Sequence, residues 1–254
     1  MRYMIELAYN GSGYNGWQRQ PNAVSVQEEL EKGLSLLLRE PINLIGSGRT
    51  DTGVHAAQQF AHFDREAPIE DIPFLLFKLN HVLSQGIAVY RIFPVADTVH
   101  ARFTATSRKY EYHIARRKTP FRPAMVYPLD MPLDIEAMNE AGKILLQHED
   151  FQSFSLVKTQ VKTFRCRITE ARWVEEGTEL VFHVRADRFL RGMVRALVGT
   201  LLEVGRNRLS LAELEEIILA KDRRKAGRAV PPDGLFLMEV TYPENAFSPP
   251  VCAS

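Results

Sequence analysis

Residues 46–56, Gly-Ser-Gly-Arg-Thr-Asp-Thr-Gly-Val-His-Ala, set one carboxylate among three hydroxyls and one cation within eleven positions. Glycine lets backbone approach a ligand closely. Ser47, Thr50 and Thr52 offer hydroxyls, and Arg49 places a positive charge beside Asp51. Hydrogen bonds and a nearby cation favour the ionised form of a carboxylate, which is the form a nucleophile or general base needs. The same residues also suit a plainer role in which Asp51 closes an Asx-type turn. Residue types alone leave both readings open.

Other patterns point to chemistry less well. Asp51-Thr52-Gly53 spells the triplet of aspartic proteases, which need two carboxylates sharing a proton. Asp97-Thr98 lacks the glycine and Asp233-Gly234 lacks the hydroxyl, so a second triplet is missing. Residues 11–16 spell GxGxxG after a strand, but a dinucleotide site needs a helix to open inside that loop. Here Trp17 to Pro21 intervene, so the segment reads as a glycine-rich connection. His55 and His62 have no third ligand at metal spacing, and no metal site is expected. Cys166 and Cys252 are too far apart for a CxxC zinc pair. Arg191 and Arg195, four apart, would share one face of a continuous helix. Tyr110 and Tyr112 would share one face of a strand, either as core or, beside Arg108 and Lys109, as stacking surfaces for bases.

The elements that must position these residues follow from periodicity. Residues 3–9 alternate as a strand. Ser25 and Glu28 form a capping-box signal for a helix whose stripe is Val26, Leu30, Leu34, Leu37 and Leu38. Strands are expected at 42–46 and 59–64, a helix at 72–83 and a strand at 87–93. That order, βαββαβ, is the ferredoxin-like unit. A similar series follows: a strand at 108–115, an irregular connection at 120–132 and a helix at 134–147. Strands near 163–175 and 179–185 flank a hairpin turn, then come a helix over 189–204, a helix capped by Ser210 and a strand at 235–240. The fold class is α+β, as two related ferredoxin-like lobes divided near residue 105.

The chain has 254 residues, 45% hydrophobic and 25% charged, ordinary values for a globular protein. With 32 basic and 31 acidic residues the net charge of +1 specifies no partner. Charge is nevertheless uneven. Residues 102–118, 185–208 and 221–228 are each rich in Arg and Lys, which favours a polyanion surface over a merely solvated one. The first residues carry Glu6 and reach a turn too early for a signal peptide. No apolar run approaches the roughly 18 residues of a membrane span. A soluble cytoplasmic protein is expected.

Together these motifs resemble the tRNA pseudouridine synthase A family across residues 3–242. The landmarks are Tyr9-x-Gly11 through Gly16-Trp17-Gln18-Arg19-Gln20-Pro21, the 48–56 segment and Ala101-Arg102-Phe103. Further on stand Arg108-Lys109-Tyr110-Glu111-Tyr112, Phe189-Leu190-x-x-Met193-Val194-Arg195 and Pro232-Asp233-Gly234-Leu235. The resemblance implies isomerisation of uridine to pseudouridine in the anticodon stem-loop of tRNA. It implies Asp51 as the catalytic aspartate and Arg195 as its basic partner. Tyr110 would pack on the target base, Leu235 would form the pocket wall, and Arg49 would help flip the nucleotide. Arg102 lies in a family motif and is expected to contact phosphate or support the site. The resemblance further implies a homodimer, no cofactor, no required metal, and two RRM-like lobes with mainly antiparallel sheets flanking a basic cleft. Residues 1–104 would carry the catalytic Asp loop, and 105–254 the stacking Tyr and basic helix. A non-catalytic tRNA-binding protein on the same scaffold is the alternative. Gly192, inside the expected helix, is an unusual choice costing about 1 kcal/mol against Ala. Val230-Pro231-Pro232 replaces the small residues expected before Gly234.

Overall fold

Strand β1 (Arg2–Tyr9) buries Tyr3, Met4, Ile5, Leu7 and Tyr9, because it lies between two other strands in this computed structural model, which describes residues 1–156 and 161–247. Helix α1 (Val26–Leu38) starts where Ser25 accepts a hydrogen bond from the Glu28 amide at 3.3 Å. Only that half of the expected capping box forms. The Glu28 carboxylate instead pairs with Lys32, one turn on, at 2.8 Å. β2 is just Ile45–Gly46, shorter than expected, while β3 (His55–Asp64) begins four residues early. β3 buries His55, Gln59 and His62 along with Ala56, Phe60, Ala61 and Phe63, so the alternation that marks a half-buried strand is absent from its sequence. Helix α2 (Ile72–Val82) is capped by Asp71 and leads to β4 (Ile87–Val95). The order is β4-β1-β3 with β2 against β3, antiparallel throughout.

Strand β5 (Ser107–Ala115) opens the second half. It pairs with β8 (Glu179–Ala186), which pairs with β7 (Ile168–Glu176), both antiparallel; a two-residue β6 (Tyr127–Pro128) runs parallel to β5. Helices α3 (Ile135–Leu145), α4 (Met193–Gly205) and α5 (Leu211–Ala220) complete this half. Asp134 caps α3, and Ser210 with Glu213 forms a complete capping box on α5. The last strand, β9, is Leu235–Thr241. The fold is α+β with mostly antiparallel strands.

One expectation needs correction. The apolar spacing predicts a helix from Phe189, but α4 begins at Met193 because Gly192 adopts φ +70°, the left-handed region. Gly192 is therefore the residue before the helix, where glycine fits without strain, and no helix-interior penalty arises. Arg191 stands outside α4, so it and Arg195 share no helix face.

The described residues group into two compact units, 1–106 with 237–247, and 107–156 with 161–236. β9 thus begins in the second unit and ends in the first, where it stands next to β3 in the strand order. Among the described residues no helix is long and apolar enough to cross a membrane.

Candidate active site

In the first unit, Arg49 and Asp51 ride on the connection between β2 and β3. That connection is tied down along its length. The Ser47 amide donates to the Phe60 carbonyl at 2.7 Å, the Ser47 hydroxyl bonds Gln59 Oε1, and Gln59 Nε2 donates to the Gly48 carbonyl at 3.2 Å. Thr50 Oγ1 shares a buried 2.9 Å hydrogen bond with the Tyr9 hydroxyl. The Thr50 carbonyl accepts from Trp17 N at 3.3 Å, and Gly53 N donates to the Tyr14 carbonyl at 3.2 Å. His55, fully buried, accepts from the Gly11 amide at Nδ1, 3.1 Å away. These bonds leave Asp51 half-buried and Arg49 exposed at the tip.

The GxGxxG segment now has a function of its own. A Cβ on Gly11 would sit inside the Val54 carbonyl, and one on Gly16 would strike the Thr50 carbonyl. Gly16 also has φ +84°. These glycines let the 11–17 turn press directly on the backbone around Asp51. Their partners lie more than thirty residues downstream, which is why spacing alone could not assign them. Trp17 packs over Gly46, where a side chain would meet its indole, and closes the start of the same loop.

Arg102, also in this unit, is exposed on a turn after β4. Its guanidinium carbon lies 5.7 Å from the Phe103 ring centroid. The turn hangs from His62, whose Nδ1 accepts from the Ala101 amide at 3.1 Å.

In the second unit, Tyr110 lies half-buried on β5, with its ring edge-on to Phe189 at 5.1 Å. Tyr112 is the residue that sequence reasoning did not separate from it. It is fully buried, and its hydroxyl donates to the Pro231 carbonyl at 2.9 Å. Burial raises its pKa above the usual phenol value, so it stays a donor at any working pH. A Cβ on Gly234 would press on the His113 carbonyl and on this ring. Tyr112 thereby fixes the segment that delivers Leu235, which is buried at the start of β9. Arg195, in the first turn of α4, holds the same segment from the other end. Its Nε donates to the Val230 carbonyl at 2.7 Å, and its own carbonyl accepts from Val230 N at 3.1 Å. The Nε–H of the guanidinium is committed to backbone, which fixes the plane in which its other four N–H donors lie. Pro231 and Pro232 supply the carbonyl and the short 3₁₀ turn of this support.

The basic segments are partly spent on internal pairs. Lys109 bonds Glu111 at 2.9 Å, Arg206 bonds Glu203 at 2.6 Å, Lys221 bonds Asp150 at 2.8 Å and Arg224 bonds Asp222 at 2.7 Å. A count of positive residues therefore overstates the charge on offer. Among the described residues no cluster of three His, Cys, Asp or Glu is placed to hold a metal ion.

A family model described as tRNA pseudouridine synthase matches residues 143–243. Similarity to individual proteins extends much further. The tRNA pseudouridine synthase A of Parabacteroides distasonis is 54% identical over 246 residues, covering 97% of this chain and 98% of its own. This chain belongs to the tRNA pseudouridine synthase A family. Other members include the protein of Porphyromonas gingivalis, 46% identical over 97% of this chain and 99% of its own, and that of Shewanella pealeana, 41% identical over 96% and 94%. The two units divide the candidate residues between them. Asp51, Arg49 and Arg102 belong to the first, and Tyr110, Arg195 and Leu235 to the second.

Proposed function

We propose that this chain isomerises uridine to pseudouridine in the anticodon stem-loop of tRNA, with Asp51 acting on the ribose of the target nucleotide. The near-full-length likeness to named tRNA pseudouridine synthases supports the reaction. What supports Asp51 is its setting, a single carboxylate on a loop bonded to β1, β3 and the 11–17 turn.

The reaction breaks the C1′–N1 bond, turns the uracil over and joins C1′ to C5. The proton leaves C5 and N1 regains one, so atoms balance without an electron or group donor. No cofactor enters the chemistry. The uridine must first leave its stack, at a cost of a few kcal/mol. Arg49 is assigned to that flipping step and Arg102 to phosphate, while Tyr110 and Leu235 clasp the released ring. Asp51 then attacks C1′ or starts elimination at C2′; both routes need it ionised, and Arg195 is assigned to hold it so. The same reading includes a homodimer, a cytoplasmic location and two related ferredoxin-like lobes. The repeat of element order supports the lobes, since β5, α3, β7, β8, α4 and β9, with β6 and α5 inserted among them, follow the plan of β1, α1, β2, β3, α2 and β4.

The test is tritium release from anticodon stem-loop RNA carrying 5-tritiated uridine. Wild type should release label; Asp51→Asn should bind the RNA equally and release none. Turnover by Asp51→Asn would remove Asp51 from the chemistry. Binding without release by either protein would leave a tRNA-binding protein on a synthase scaffold.

A further inference from the structure

We infer that Phe103, held beside Arg102, is a stacking platform for an unpaired base of the RNA substrate. This inference rests on the tRNA-directed function proposed above and adds a binding residue to it.

Phe103 is 76% exposed, although phenylalanine is ordinarily among the buried residue types. Its ring is nonetheless held in place. His100 and Thr104 close the turn, with the His100 amide donating to Thr104 Oγ1 at 2.9 Å and the Thr104 amide donating back to the His100 carbonyl at 3.0 Å. The Arg102 and Phe103 amides both donate to His100 Nδ1, at 3.1 and 3.3 Å. Ala101, fully buried, is gripped from both sides: its amide by His62 Nδ1 at 3.1 Å, its carbonyl by the Tyr242 hydroxyl at 2.6 Å. The His100 ring lies 4.4 Å from the Phe103 ring at 36°, close enough to back it. The turn is anchored from within, and two side chains are turned outward from it.

Such an arrangement fits a nucleotide. Every base offers a π-face to an aromatic ring, and a strand that stacks there brings a phosphate for a neighbouring cation. A backed ring loses little freedom on binding, so most of the stacking energy appears as affinity. An apolar protein surface laid over Phe103 would also desolvate the Arg102 guanidinium, an expense that a phosphate-bearing strand avoids.

The experiment compares wild type, Phe103→Ala and Phe103→Tyr for affinity to an anticodon stem-loop RNA, with sedimentation and unfolding midpoint measured on the same samples. Phe103→Ala should weaken binding roughly 10-fold, the scale of one base stacked on one ring. KM should rise by a similar factor, with kcat at saturating RNA near wild type. Phe103→Tyr should restore both, and sedimentation and midpoint should not change. Equal affinity of wild type and Phe103→Ala would overturn the platform while leaving the isomerase reading intact. A change in sedimentation with RNA affinity unaltered would make Phe103 a protein contact and equally overturn it. Wild type that binds no stem-loop RNA would overturn the functional reading itself.

Discussion

A single methyl group probes how Asp51 is held. Gly16→Ala would force a side chain at φ +84° and drive it into the Thr50 carbonyl. Gly11→Ala would do the same at the Val54 carbonyl. Each is expected to destabilise the protein by about 2 kcal/mol or more and to lower turnover, because Thr50 and Val54 flank Asp51. Gly13 is the internal control. It lies between them in sequence, and a Cβ there meets nothing within 4 Å. Gly13→Ala should stay within about 0.5 kcal/mol of wild type, read by denaturant unfolding. Equal effects at all three sites would mean that the loop gives way easily and that Asp51 is not held by this contact. The comparison also locates what was legible in the sequence. The 46–56 segment declares itself through residue types packed into a short stretch. The glycines that support it declare only flexibility, because their purpose is set by backbone brought in from distant positions. Tyr110 and Tyr112 look alike for the same reason: only the fold decides which one is buried under Gly234.

At the scale of elements, the helices announced by a cap signal at Ser25 and Ser210 start where expected, while the caps at Asp71 and Asp134 emerge only in the structure. α4 misleads because its apolar run continues back through Phe189 and Leu190 into a turn, and only the φ of Gly192 marks the break. Its other special glycine was legible to no periodic rule. Gly199 lies where the 227–230 segment crosses the helix, and a Cβ there would enter the Arg228 carbonyl. Thr200 locks the crossing, donating to the Ala196 carbonyl at 2.8 Å and accepting from Gly227 N at 2.9 Å. Gly→Ala inside a helix ordinarily stabilises by about 1 kcal/mol. Here Gly199→Ala should reverse sign and destabilise by about 2 kcal/mol or more, with Arg195 losing its anchor on Val230. A variant more stable than wild type in equilibrium unfolding would show that the crossing segment can move aside.

For the whole molecule, the pH dependence of stability is set by groups that the fold holds away from their ordinary titration. Burial, aided by Arg2 and His100, depresses the pKa of His62 to about 4. The unfolded chain takes up that proton near 6.5, so between those values the unfolded state binds more protons and stability falls as pH falls. Glu111, lowered by hydrogen bonds from His113 and His183, adds a loss of the same sign at more acid pH, below its ordinary value. His113 works in the opposite direction. Burial lowers its pKa, but Glu111 and Glu179 outweigh that and leave it raised. Its contribution is full below the ordinary histidine value and disappears as pH rises through the raised one. The acid limb should therefore begin near 6.5 and not near 4. His62→Gln should flatten the decline between pH 6.5 and 4 in urea titrations; parallel declines would mean that His62 titrates normally in the folded state.

The course of the chain also bears on the order in which it is made. Strand β9 completes the row β4-β1-β3-β9 in the first unit, yet it is encoded after all of Ser107–Phe236. On the ribosome, β3 ends at Asp64 and its partner at Thr241 emerges on the order of ten seconds later. Throughout that interval the part of the β3 edge that β2 does not cover presents bare backbone amides and carbonyls, a template for unwanted pairing. The middle unit has its whole sequence before the flanking one does. The part begun first is finished last.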